Sequence, residues 1–289
     1  MKKIISLIVT AFLAVSCLFG LTACGSDDDG KVVKIGAQTS TTGHIYANCL
    51  KNVEAIGYKS PALAIDDMLN GTIDYVIVDS ATAETIVAER EGAIIIDIPL
   101  SYDTYAVGVD KNQDALKDSI NKVLFENAEE INSIIEKYND FETNKSSCVG
   151  FDVDAMVAKA QASASYSNPE AQLVVATNAE FGPWEFVEDG KYYGIDIEIA
   201  NMIAQELNLE LVIVNMDFDA VPTSVGTNNI DCAIAALSIT AERKESLNFT
   251  NGYFSDTSVY QVVVCKESDT KLDGCMSAVD VISVLTGLV

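Results

Sequence analysis

Basic residues are scarce in this 289-residue chain: 18 Lys and Arg stand against 43 Asp and Glu, a formal net charge of −25. A nucleic-acid binder needs a basic face to neutralise phosphates, so that class is excluded. Unassisted adsorption to anionic lipid is excluded on the same grounds. Histidine is scarcer still. His44 is alone, which removes any His-rich metal centre, and no cofactor or metal is expected. The seven cysteines, at 17, 24, 49, 148, 232, 265 and 275, contain no C-x-x-C pair, so zinc-ribbon and thioredoxin-type readings fail as well. What is present is 49% hydrophobic residues against 21% charged, enough for a sizeable core and against disorder. The length fits two domains of about 100–200 residues each.

The first residues read as an address. Met1-Lys2-Lys3 is a short positive start, Ile4 to Gly20 is mostly apolar, and Leu21-Thr22-Ala23-Cys24 closes the run. This is the pattern of a secretory signal with small residues at its cleavage site. Leu-Thr-Ala-Cys resembles the bacterial lipobox, in which the cysteine is lipidated and becomes the mature first residue. The competing reading is a transmembrane anchor, because the apolar run approaches the roughly 20 residues a span needs. Gly25-Ser26-Asp27-Asp28-Asp29-Gly30, a polar tether, favours the lipobox. The expectation is a leader over 1–23, lipidation at Cys24 and a tether over 24–30. The remaining five cysteines are odd in number and suggest no disulfide framework; they read mainly as small buried hydrophobes.

Strand and helix signals alternate through the rest. Strands are expected at Val32–Gly36, Ile73–Val78, Ala93–Ile98 and Tyr105–Val109, and again at Leu173–Ala176, Leu209–Val214, Ile230–Ala235 and Tyr260–Val264. Helices are expected at Ser40–Leu50, Pro61–Leu69, Ala81–Glu89, Val153–Ala162, Ile195–Leu207 and Asp219–Val225, with two more in Gln113–Tyr138. Such alternation implies largely parallel sheets covered by helices. The stretch 139–170 differs in composition and reads as a linker. Two segments share a pattern: Asn70-Gly71-Thr72-Ile73-Asp74 leading to Asp79-Ser80, and Asn228-Asn229-Ile230-Asp231 leading to Ala236-Leu237-Ser238. Each is a polar turn, Ile-Asp, a small or apolar strand and a polar loop. Ligands gather at the carboxyl ends of strands in open α/β sheets, so both loops are candidate rim positions.

Several residues suit one kind of ligand. Thr39-Ser40-Thr41-Thr42-Gly43 opens a helix and offers backbone N–H groups to an anion, although an ordinary N-cap has the same appearance. Arg243 can clamp a carboxylate with two parallel hydrogen bonds, or pair with an acid of its own chain. Asp79 offers an acceptor for an ammonium group. Phe181 and Phe218 are aromatics in loops after strands, and Trp184 is either core or rim. His44 is expected to be solvated. Carboxylate clamp, ammonium acceptor and aromatic walls are together what a zwitterionic amino acid requires.

The segment Leu173–Phe186, LVVATNAEFGPWEF, resembles the opening of the polar amino-acid family of bacterial extracellular solute-binding proteins, the receptors of ABC importers. Gly194–Ala200, Met216–Asp219, Ser238–Lys244, Asn248–Thr250, Gly252–Phe254 and Gly36–Gly43 match in kind. The resemblance implies an α/β fold of two Rossmann-like lobes joined by two hinge strands, the type II periplasmic-binding-protein fold. The order of segments departs from the family and implies a circular permutation. Lobe 2 would span 31–104, the hinge return and closing helices of lobe 1 105–138, the linker joining the former termini 139–170, lobe 1 171–265, and a tail 266–289. Val279–Leu288 would dock on lobe 2 as a helix or be a fusion scar.

In the family, the position of Arg243 holds the ligand carboxylate, helped by Thr41, Thr42 and Ser238. Asp79 would take the ammonium with the Ala236 carbonyl and Ser238. Phe181 and Phe218 would flank the side chain, and Asn178, Glu180 and Gln38 would face its end. Asn at 178, where receptors for basic ligands often carry Asp, favours a neutral polar ligand, while Glu180 would restore a basic preference. The resemblance implies a lipid-anchored receptor on the extracellular face of the membrane, with an amino-acid ligand and an ABC permease as partners. The alternatives are an enzyme of this fold, a cyclohexadienyl or arogenate dehydratase with Glu180 as its acid, or an amino-acid sensor. A domain-swapped dimer is a further possibility.

Overall fold

The computed structural model describes residues 32–163, 171–255 and 260–288. The expected leader, lipidated Cys24 and tether lie outside the described residues, as does the 164–170 part of the expected linker. The first half runs β1 (Val33–Gln38), α1 (Thr42–Cys49), β2 (Val53–Tyr58), α2 (Pro61–Asn70), β3 (Tyr75–Asp79), α3 (Ser80–Val87), β4 (Ala93–Tyr102) and β5 (Tyr105–Asp110). Next come α4 (Asp114–Glu126), α5 (Ala128–Tyr138), α6 (Phe141–Asn144), β6 (Phe151–Asp152) and α7 (Val153–Ser163). The second half opens with β7 (Gln172–Thr177), β8 (Glu180–Phe181), β9 (Glu185–Glu188), β10 (Lys191–Tyr193), α8 (Ile195–Glu206) and β11 (Glu210–Asn215). It closes with α9 (Val221–Ser224), β12 (Cys232–Ala233), α10 (Arg243–Ser246), β13 (Leu247–Phe254), β14 (Tyr260–Lys266) and α11 (Ala278–Leu285).

Two five-stranded sheets result, ordered β2-β1-β3-β14-β4 and β11-β7-β12-β5-β13. In each, two of the four strand pairings are parallel and two antiparallel, so one strand, β14 or β5, runs against the other four. The expected parallel alternation therefore describes only the βαβ part of each sheet. Each sheet also takes a strand from the other half of the chain: β14 pairs with β3 and β4, and β5 pairs with β12 and β13. The chain thus passes between the sheets at β4–β5 and at β13–β14. A smaller antiparallel sheet, β6-β10-β9-β8, flanks them.

Local chemistry explains the elements. Ser60 caps α2, Pro61 occupies its first turn, and Gly71 ends it in the left-handed conformation, the usual asymmetry of helix ends. Strand β3 is buried throughout, as a central parallel strand covered on both faces must be. The repeated Ile-Asp pattern has one structural meaning. Asp74 accepts a hydrogen bond from Lys34 N–H at 2.9 Å, while its own N–H donates to Lys34 C=O. Asp231 accepts from Val174 N–H at 2.8 Å, while its N–H donates to Val174 C=O. Each aspartate clips the incoming end of a central strand to the strand that starts its sheet.

Some expectations need correction. The stretch 139–163 holds the expected helix as α7 but is more than a linker around it, because α6 precedes and β6 pairs with β10. The strand expected at Ile230–Ala235 is regular only at Cys232–Ala233. Strands β2 and β13 were not anticipated: Gly57 interrupts the apolar pattern of one, and Asn248, Asn251 and Gly252 that of the other. Of the five described cysteines, all free, only Cys232 and Cys265 are buried and Cys49 is exposed. The tail forms a helix. Val281 and Leu285 of α11 pack with Ile35, Tyr75, Ile77 and Val263 of the first sheet, so the docked alternative describes it.

Candidate ligand-binding cleft

The ends of β1 and β3 in the first sheet face the loops after β7 and β12 in the second. Between them lies a narrow cleft with a cavity volume of only about 20 Å³, so the two walls stand nearly closed on each other. From the first lobe Gln38, Thr41, Thr42 and Asp79 line it, and from the second Phe181, Phe218, Ala236, Ser238 and Arg243. Asn178 and Glu180 are not among the lining residues. Asn178 is buried just behind Gln38, whereas Glu180 is exposed on β8. The lining also includes Tyr105, Gln261 and Pro61, which sequence reasoning missed. Their signal was weak but present: Tyr105 and Gln261 are polar groups inside otherwise apolar strands.

Arg243 is 7% exposed. Its guanidinium donates to Ser238 C=O at 2.8 Å and to Ser40 C=O at 2.9 Å. The guanidinium carbon lies 5.3 Å from the Phe218 ring centroid, a stacking that favours a cation. No carboxylate lies within ion-pair distance of Arg243 among the described residues. The alternative of an arginine committed to an acid of its own chain therefore finds no partner. Burial lowers its pKa to about 10, the nearby charge of Asp103 opposing the shift, and it remains protonated at neutral pH. Such an arginine is short of counter-charge among the described residues.

Asp79 stands across the cleft, at the end of β3. Its Oδ1 accepts from Ala81 N–H and Thr82 N–H, capping α3. Its Oδ2 accepts from the Tyr105 hydroxyl at 2.6 Å. Burial raises its pKa to about 6 against the opposing effect of the Tyr105 hydrogen bond. Trp184 is core and not rim: it packs edge-on against Tyr105 and Phe254 with ring centroids 4.9 Å away. Its indole N–H approaches Asp79 Oδ1 at 3.5 Å. Deeper still, Asp196 accepts from Ala236 N–H at 2.6 Å and from the Tyr253 hydroxyl. Burial, then the neighbouring Asp196 and Asp79 carboxylates, hold the carboxyl of buried Glu185 well above its ordinary pKa.

The backbone is shaped for close approach. At Gly43 a Cβ would lie 2.8 Å from both Ile77 C=O and the Gln261 side-chain oxygen, so only glycine lets α1 begin directly over β3. Thr41 caps that helix, and its hydroxyl donates to Gln38 C=O at 2.7 Å. Thr42 donates to Asp103. His44 is half-buried rather than solvated; burial lowers its pKa, and its Nδ1 accepts from Ser40 N–H. Ala236 has φ 44°, a left-handed conformation a non-glycine residue adopts with strain. The two walls touch at three further places beside Ser40–Arg243. Gln38 Nε2 donates to Asn178 Oδ1 at 2.7 Å, Lys59 pairs with Asp217 at 3.3 Å, and Trp184 reaches Asp79.

Residues 173–273 match the family described as bacterial extracellular solute-binding proteins, family 3. Among curated proteins the chain is similar to the arginine-binding extracellular protein ArtP of Bacillus subtilis, at 26% identity over 42% of this chain and 46% of that protein. It is also similar to a probable histidine-binding protein of Campylobacter jejuni, at 31% identity over 32% of this chain and 37% of that protein. A solved structure of the arginine-bound form of domain 1 from TmArgBP is 34% identical over 40% of this chain and 93% of that chain, with a TM-score of 0.30. The chain spans about half the length, or less, of the curated relatives it matches. These relatives are named as binding proteins, not enzymes.

Proposed function

Over residues 173–273 the chain belongs to the polar amino-acid family of extracellular solute-binding proteins, with a mixed α/β fold of the type II periplasmic-binding class, and from that premise we propose that it captures a polar amino acid between its two lobes. One observation carries the reading: Arg243, buried without a carboxylate partner, faces Asp79, a buried carboxylate, across one cleft. Arg243 takes the ligand α-carboxylate, with Ser238 and the N-terminal end of α1 at Thr41 and Thr42 beside it. Asp79 takes the α-ammonium together with the Ala236 carbonyl. Phe181 and Phe218 flank the ligand side chain. Binding is coupled to closure, because groups from both lobes contact one ligand and so favour the form in which the lobes meet. Strands β5 and β14, around Tyr105–Val109 and Tyr260–Val264, act as the two crossing hinge strands.

The wider reading is a lipid-anchored receptor on the extracellular face, tethered through Cys24, that delivers its ligand to an ABC permease. The order of its segments is read as a circular permutation of the family's. Supporting it is the family match confined to residues 173–273, while β1–β4 with β14 build a five-stranded sheet of the same strand arrangement as the second. The test is a thermal-shift screen of the full chain against the twenty amino acids plus ornithine, citrulline and cystine. A ligand at about 100 times its Kd adds about 2.7 kcal/mol of stability, so a true ligand raises the melting midpoint. No shift with any of them in a cooperatively melting protein contradicts the reading.

A further inference from the structure

We propose that Glu185 is a positioning residue of the cleft: as a neutral carboxylic acid it donates a hydrogen bond to Asp196, and the pair fixes the bend at Ala236 whose carbonyl meets the ligand ammonium. The link to the ligand rests on the amino-acid reading above, whereas the proton on Glu185 does not depend on it. Glu185 opens β9 and is fully buried, and neither of its carboxyl oxygens accepts a hydrogen bond. An ionised carboxylate is an acceptor only, and one left without donors in the interior is strongly unfavourable. The Asp196 carboxylate lies within hydrogen-bonding reach, and two carboxyl groups can share such a contact only through a proton.

The backbone brings the two acids together. Asp196 N–H donates to Trp184 C=O at 2.9 Å and Ile195 N–H to Pro183 C=O at 3.1 Å, so the start of α8 lies against the start of β9. Gly194 permits this approach: a Cβ there would stand 2.1 Å from the Trp184 carbonyl oxygen and 2.7 Å from Glu185 Cα. Donors are shared unequally between the pair. Asp196 accepts from Ala236 N–H at 2.6 Å and from the Tyr253 hydroxyl at 2.8 Å. It also sits in the first turn of α8, where the helix dipole favours an anion. Glu185 accepts from no donor. With one proton between them, Asp196 is therefore the ionised member and Glu185 the donor, in a hydrogen bond of the strong, charge-assisted kind.

The surrounding charge points the same way. Asp196 on α8 and Asp79 at the end of β3 both add negative potential at Glu185. The other titratable groups packed there are the hydroxyls of Tyr253 on β13, which faces Asp196, and Tyr105 on β5, which faces Asp79. None of the three acids forms an ion pair with a lysine, arginine or histidine among the described residues. The consequence reaches the cleft through one hydrogen bond. Ala236 holds a left-handed φ of 44°, and its N–H is tied to Asp196. A second carboxylate in place of the neutral Glu185 would repel Asp196 and loosen that tie.

Infrared spectroscopy of the full chain at neutral pH reads the proton directly. The expected result is a carbonyl stretch of a protonated, buried carboxylic acid that is retained in Asp79→Asn and lost in Glu185→Gln. A spectrum without that band, or with the band intact in Glu185→Gln, overturns the proposal. Titration calorimetry with the amino acid found in the screen reads the positioning. Glu185→Gln keeps a donor toward Asp196, whereas Glu185→Met, of similar size, does not. The first is expected to bind within about threefold of the unaltered protein and the second about tenfold more weakly. Glu185→Met binding as tightly as the unaltered protein, or Glu185→Gln binding as weakly as Glu185→Met, overturns the positioning role. Should Glu185→Met fail to fold, the infrared band and the affinity of Glu185→Gln still decide the matter. If no amino acid binds the unaltered protein, the amino-acid reading falls, and the infrared result alone decides the proton.

Discussion

The two lobes are built alike up to one point and then diverge, and the candidate cleft lies where they diverge. In each, an Ile-Asp turn clips the central strand to the first strand of its sheet: Asp74 to Lys34 in one, Asp231 to Val174 in the other. Beyond the clip, β3 runs as a regular buried strand to Asp79, which caps α3. Its counterpart β12 is regular for two residues only, and the chain then bends through Ala236 at φ 44° toward Arg243. One lobe ends its strand with a capped acid. The other ends it with a strained loop and an arginine held by two carbonyls. The same scaffold thus presents opposite charges across the cleft, which is the arrangement a zwitterion needs.

That comparison is open to attack at several points. The largest effect is expected from Arg243→Ala, which strips the second lobe of its charge. Loss of one partner of a buried ion pair with the ligand weakens binding by about 2–5 kcal/mol, measured by titration calorimetry with the amino acid found in the screen. Asp79→Asn removes the charge of the first lobe while retaining a residue that caps helices well. Binding should fall by about 2–3 kcal/mol with little change in the melting midpoint of the free protein. Equal loss of stability and binding would mean that Asp79 serves only as a cap.

The clips provide a test of likeness rather than of difference. Asp74→Ala and Asp231→Ala each orphan a backbone N–H, so each should lower unfolding free energy by about 1–3 kcal/mol in denaturant melts. A large effect in one and none in the other would show that the two turns are equivalent in appearance only.

Acidity separates the two poles. Burial raises the Asp79 pKa to about 6, whereas Arg243 near 10 keeps its proton. Ammonium binding requires the Asp79 carboxylate to be ionised, so affinity should hold above pH 6 and fall by up to about tenfold per unit below it. In the free protein the sign is opposite. Folded Asp79 and Asp196, both raised to about 6 from 3.8, hold their protons more tightly than in the unfolded chain. Their contribution to stability is therefore complete below about pH 4 and is lost as the pH rises through 6. The smallest effect is at the bend. Ala236→Gly relieves a left-handed alanine but adds freedom to the unfolded chain, and the two nearly cancel, leaving a change under about 1 kcal/mol.

Much of the frame was legible because it depends on pattern. Apolar runs such as Tyr75–Val78, the Ser60-Pro61 helix start and the repeated Ile-Asp turns locate their elements locally. The outlying strands were not legible, because β13 is held by pairing with a distant β5 and carries Asn and Gly where a strand pattern expects alternation. The site followed the same division. Arg243, Asp79 and the Thr41–Thr42 helix start stand out by residue type in a loop. Tyr105 and Gln261 do not, since only the fold brings them to the cleft. Glu180 was misplaced because adjacent residues on a strand point to opposite sides, so that with Phe181 turned into the cleft Glu180 faces outward, and Asn178 supports Gln38 rather than lining the cleft.

The most direct test of the central claim is a calorimetric comparison of the best amino acid with two analogues, its α-carboxamide and its deaminated acid. Each deletes one of the two charges while leaving the side chain whole. The two-pole cleft predicts that the amino acid binds and that each analogue is at least a hundredfold weaker. Either analogue binding as tightly as the parent would contradict the opposed roles of Arg243 and Asp79.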